Sequence, residues 1–237
     1  MPSLVVAIVS ALAAGLMIPL GAALARIERI RPRWLEEELR HGVIAFGGGV
    51  LLAAISLVLV PRGVALLPGA PALAAFALGG LSFFWLDRAI ARRTGPAAQT
   101  LAMVSDFVPE AVALGAMFAS GDRNGVLLAA LIGLQNLPEG FNAYREAMAR
   151  GGRRPRTILA VFAALALLGP LAAVLGHLYL TAWPAATGAV MLFAAGGILY
   201  LTFQDIAVEA HLERRWAPAL GAVGGFLLGL AGQMLAG

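Results

Sequence analysis

Gln135-Asn136-Leu137-Pro138-Glu139-Gly140 sets an amide pair, a proline and a carboxylate inside an otherwise apolar run. Upstream, Asp106-Phe107-Val108-Pro109-Glu110 repeats the design, again with the acid directly after the proline. Carboxylates are costly in apolar surroundings and usually face a protein interior, a cavity or a cation. The chain around them therefore has to supply one of the three.

Composition says what kind of chain this is. Of 237 residues, 60% are hydrophobic and 13% charged, which points to one all-α integral-membrane domain, residues 1–237. A spanning helix needs about 20 largely apolar residues. Eight such runs are expected: Ser3–Ala25, His41–Val60, Ala70–Ile90, Ala97–Ala119, Gly125–Ala147, Thr157–Tyr179, Ala185–Ala210 and Ala217–Leu235. The first is expected to be retained rather than cleaved as a signal. Without cysteine there are no disulfides or thiolate ligands.

Every basic residue is an arginine, and with the Ala, Leu and Gly richness this points to a GC-rich bacterial genome and a bacterial inner membrane. The arginines lie between the runs, so membrane topology accounts for them better than nucleic-acid binding does. The connectors after runs one, three, five and seven hold five, three, five and two, whereas the opposite side holds only Arg62 and Arg123. Because cytoplasmic loops are enriched in basic residues, both termini are expected outside the cytoplasm. Runs one to three and six to eight then have opposite topology, the layout of inverted three-helix repeats around a central two-helix hairpin. In transporters that layout puts the substrate near the midplane.

The hairpin carries the chemistry. Only Ser120-Gly121-Asp122-Arg123-Asn124 separates runs four and five, so they are antiparallel neighbours. Asp106 and Glu110, Gln135 and Glu139, and Asp205 and Glu209 are each four apart and share a helix face. Pro109 and Pro138 should each break the helix locally and free a carbonyl, which is tolerated at membrane depth beside a cavity. Glu110 and Glu139 fall at similar depths, roughly 17 to 20 Å from the Arg-rich ends at about 1.5 Å per residue. Carboxylates so placed repel unless protonated or bridged by a cation. Asn142 and Glu146 extend the Gln135–Glu139 stripe towards the Arg-rich end as an expected exit route, and Glu209 is a further candidate for it.

These motifs resemble those of the ZIP (Zrt/Irt-like) metal transporters, whose fourth and fifth spans carry His-Asn-x-Pro-Glu-Gly-like sequences and whose seventh adds an acid. Eight spans, outside termini, Arg-rich inner loops and Ala194-Ala195-Gly196-Gly197-Ile198-Leu199-Tyr200 are similar as well. The resemblance implies divalent-metal uptake by alternating access, with a binuclear site formed by Glu110, Gln135, Asn136 and Glu139 and with Asp205 as the seventh-span acid. Asp106 replaces the family's His, Phe107 its Asn and Ala111 its Gly, while Val208 stands where Pro is frequent. With no imidazole, the donor set favours harder ions than zinc, such as manganese or magnesium, with iron(II) between. The expected cargo is zinc, manganese, iron or cadmium; the other partners are the bilayer and, in some readings, a second copy of the chain.

Other readings stay open. The polar pairs are also what interhelical hydrogen bonding needs, and Phe107 is placed to plug the route, which would leave a metal sensor or a structural membrane partner. A transporter of another cation or of a proton-coupled solute is a third reading. No phosphate loop or nucleophile–base pair is present, so no enzyme is expected. His41, His177, His211 and Glu36-Glu37-Glu38 read as interfacial or solvated groups. The Gly221, Gly225 and Gly229 face reads as helix packing or a dimer contact.

Overall fold

A backbone surrounded by apolar side chains satisfies its polar groups most completely as helix. The computed structural model describes residues 2–28, 33–91, 96–149, 154–211 and 216–236, and every regular element among them is helical. In order these are α1 (Pro2–Ile27), α2 (Arg33–Ala53), α3 (Val60–Leu66), α4 (Ala70–Ala91), α5 (Pro96–Ala119), α6 (Asn124–Ala149), α7 (Pro155–Ala166), α8 (Leu168–Leu175), α9 (Pro184–Leu201), α10 (Ala207–Ala210) and α11 (Ala217–Ala236). Of the arginines counted for orientation, Arg29, Arg31, Arg92, Arg93, Arg150, Arg153, Arg214 and Arg215 lie outside the described residues.

Six stretches are long and apolar enough to cross a membrane: Ser3–Ile27, Glu38–Leu66, Ala70–Ala89, Pro155–Leu180, Pro184–Ala210 and Ala217–Leu235. They make the chain a multi-pass membrane protein. Val9, Leu73, Trp85, Leu171 and Leu220 are exposed on their outer faces, where acyl chains rather than water would meet them. The other two long helices, α5 and α6, have 24 and 26 residues and carry the polar motifs. The largest fully buried side chains include Phe107, Leu114, Met117, Leu128, Leu131 and Ile132, so the α5–α6 hairpin is the centre of the core.

The prolines of the two motifs do not break their helices, contrary to expectation: α5 runs through Pro109 and α6 through Pro138. Each still costs one backbone hydrogen bond, but packing on all sides holds the helix together. Breaks occur elsewhere. Wide π-type turns at Ala54–Leu59, Gly176–Leu180 and Thr202–Ile206 join α2 to α3, extend α8 and join α9 to α10. Such turns often mark functional segments. Pro170 lies four residues after Ala166, where α7 ends, and its missing N–H accounts for that interruption.

Close helix packing comes from glycines opposite backbone carbonyls. A Cβ on Gly140 would overlap the Ile18 oxygen and one on Gly21 the Leu137 oxygen, so α6 and α1 touch at backbone distance. The same reciprocal contact joins α5 to the α8 rod (Gly115 on Ala173, Gly176 on Val112), α2 to α11 (Gly49 on Ala222, Gly225 on Phe46) and α4 to α9 (Gly79 on Phe193, Gly196 on Phe76). The Gly221, Gly225 and Gly229 face is thus a packing surface for α2 within one chain.

The hairpin turn is set by Gly121, whose φ of +71° suits a residue without Cβ. Asp122 accepts the Asn124 N–H at 3.0 Å, capping α6. It also pairs with Arg62 at 2.6 Å, tying the turn to α3.

Candidate functional site

The two motifs meet inside the bundle. Glu110 of α5 is fully buried, Gln135 and Asn136 of α6 are buried, and Asp106 is 4% exposed. The Gln135 amide donates through Nε2 to Glu110 Oε2 at 2.9 Å. The Asn136 amide donates through Nδ2 to the Ala14 carbonyl of α1 at 3.0 Å. Asp106 Oδ1 accepts the Phe107 N–H at 2.8 Å, and the Asp106 carboxyl lies within hydrogen-bonding reach of Glu139. Glu139 is partly buried.

These bonds engage both amide nitrogens and leave three oxygens. Glu110 Oε1, Gln135 Oε1 and Asn136 Oδ1 are buried without a hydrogen-bond partner. Orphaned buried polar atoms cost about 1–3 kcal/mol each, more when charged, and each calls for an explanation. Each amide is oriented by its NH₂ group, so its oxygen is held in a defined direction. Buried amide and carboxylate oxygens, with further carboxyls on the same two helices, are the ligand type a hard cation takes. Among the described residues no three His, Asp or Glu side chains are gathered closely enough to hold a metal alone. Any cation here therefore needs the amide oxygens as well.

Asp205 stands apart from this group, exposed on the π-type turn Thr202–Ile206. Asp87 and Glu209 are its acidic neighbours. Glu209 is itself 47% exposed and paired with Arg40 at 2.8 Å. Of the exit stripe, Asn142 is half-buried with Oδ1 unpartnered, and Glu146 is half-buried and engaged in other interactions.

Phe107 fills a seam between helices. Its ring packs where Gly15 of α1 and Gly169 of α8 leave space: a Cβ on Gly15 would lie 3.0 Å from Phe107 Cζ, and one on Gly169 would overlap it. The aromatic side chain points into the seam between these helices. Sequence reasoning also missed the contribution of α1, because a backbone carbonyl such as that of Ala14 has no residue signature. Gly21, placed to let α6 approach, was the available clue.

No protein-family model matches the chain, and no curated protein matches it.

Proposed function

We propose that the chain carries divalent transition-metal ions across a bacterial inner membrane into the cytoplasm by alternating access. The observation that carries this reading is the set of buried, unpartnered oxygens on Glu110, Gln135 and Asn136, on the same two helices as Asp106 and Glu139. Glu110 and Glu139 share the ion, the amide oxygens complete its shell, and Asp106 stands beside it, while Asp205 lies outside this group on the exposed turn of the seventh span. An oxygen-only set lacks the imidazole and thiolate donors that zinc and cadmium prefer, which shifts its selectivity towards harder ions such as manganese or iron(II).

The reading counts eight spans, with α2 and α3 forming the second, α7 and α8 the sixth, and α9 and α10 the seventh. Exchanging span one with six, two with seven, three with eight and four with five carries each glycine-sealed pair onto another. One–five maps onto six–four, and two–eight onto seven–three. Inverted repeats require this invariance, and they keep their substrate site near the midplane on the repeat axis. The arginine distribution puts both termini outside the cytoplasm. This is the architecture and chemistry implied by the resemblance to ZIP transporters.

Thermal unfolding in detergent, scanned with manganese, iron(II), zinc, cadmium and magnesium, tests the reading, since a bound ion stabilises by mass action. A concentration-dependent rise with at least one transition metal is expected. No response to any of them would overturn it, and stabilisation without flux would point instead to a sensor.

A further inference from the structure

At the Arg-rich end of the bundle a cavity of about 320 Å³ opens between α1, α2 and α6. Its wall is apolar, formed chiefly by Val43 and Phe46 of α2 and Leu137 and Phe141 of α6, with Pro138 beside them. Three charged side chains stand on its lining: Glu28, Arg40 and Arg145. Glu28 and Arg145 satisfy each other at 2.8 Å, and the Arg145 guanidinium lies 5.8 Å from the Phe141 ring centroid. Arg40 is different. Its Nη2 donates to Glu209 on α10, but its Nε is buried and has no acceptor.

A partly exposed guanidinium with one carboxylate as its partner keeps N–H groups to spare, and an apolar slot of this size filled with water is unfavourable. One kind of ligand relieves both. A free phosphate would pair with the exposed edge of the Arg40 guanidinium and leave the apolar wall wet, whereas a neutral hydrocarbon would cover the wall and add no acceptor for that edge. An amphiphile with an anionic head and an aliphatic chain matches the slot at both ends. The volume lies in the ordinary range for small-ligand pockets, roughly 300–1,000 Å³. The Arg-rich side is also the one that meets anionic headgroups.

We propose that this slot binds one anionic phospholipid, an acyl chain lying between α2 and α6 and a phosphate oxygen accepting from the exposed edge of the Arg40 guanidinium. The occupant does not depend on which ion the buried carboxylates hold.

Native mass spectrometry of the purified full chain, offered phosphatidylglycerol and phosphatidylcholine in equal amounts, tests this. The wild type should retain one phosphatidylglycerol in preference. Arg40→Gln should lower that preference about fivefold, the effect of roughly one arginine–anion contact at a membrane surface. Glu209→Gln, which breaks the Arg40 ion pair but keeps the cation, should leave the preference intact. Val43→Phe should abolish retention by filling the slot. Leu39→Phe, at a more exposed lining position, should weaken it if Val43→Phe fails to fold. Inorganic phosphate should not displace the lipid. Equal retention of both lipids by the wild type, or a preference unchanged in Arg40→Gln and in the filling variants, would mean annular lipid only and overturn the proposal. Displacement by inorganic phosphate would overturn it in favour of a free-anion site.

Discussion

Replacing Gln135 with leucine removes the 2.9 Å hydrogen bond to Glu110 Oε2 and one of the three orphaned oxygens while nearly preserving volume. A hydrogen bond to a charged group contributes about 1.5–3 kcal/mol. If that bond orients Glu110 for a cation, its loss should weaken metal binding roughly 10- to 100-fold, the range seen when a group supporting a metal ligand is removed. At a metal concentration 100 times the wild-type dissociation constant, binding stabilises the wild type by about 2.7 kcal/mol. The same concentration stabilises a tenfold weaker variant by about 1.4 kcal/mol and a hundredfold weaker one by about 0.4 kcal/mol. Denaturation in detergent with and without metal reads the difference directly. A metal-induced stabilisation as large in Gln135→Leu as in the wild type would refute the role given to this amide, whatever happens to the stability of the metal-free chain.

Three further outcomes follow from the same geometry. Phe107→Ala should cost about 3–5 kcal/mol of stability by emptying the seam between Gly15 and Gly169, without raising flux; a stable variant with faster transport would restore the plug. Gly49→Ala should cost about 1–3 kcal/mol, because the added methyl meets the Ala222 carbonyl inside the α2–α11 pair. Size-exclusion chromatography should show its oligomeric state unchanged, whereas a loss of dimer with stability intact would assign this face to a partner copy. Metal-induced stabilisation should weaken as pH falls from 7 to 5, since carboxylate ligands bind metal only when deprotonated and protons compete for the site. A pH-independent stabilisation would point to a site built without Asp106, Glu110 and Glu139.

The pairing of the two motifs was legible because five turn residues force α5 and α6 to be antiparallel, and four-residue spacing puts each polar pair on one face. Glu110 and Gln135, 25 residues apart, do meet as that reasoning expects. What the prolines do was not legible. Residue identity predicts a break at Pro109 and Pro138, but tight packing from α1 and α8 keeps the helices whole. The wide turns at Ala54–Leu59 and Thr202–Ile206 leave no comparable mark in the residues, and the second of them carries Asp205 outward. Glycine spacing announced close packing in the last helix. It did not name α2 as the partner, because small residues specify a short approach distance and not what approaches. Phe107 illustrates the same limit: its aromatic character was plain, and its direction was fixed by Gly15 and Gly169 on helices far away in the chain.

The central claim is that metal crosses the membrane by way of the Glu110–Glu139 cluster. Uptake of radioactive manganese and zinc into vesicles containing the reconstituted chain measures this directly, with Glu139→Ala beside the wild type. Metal accumulation by the wild type that falls to the level of empty vesicles in Glu139→Ala is the predicted result. Equal flux in the two would contradict the account.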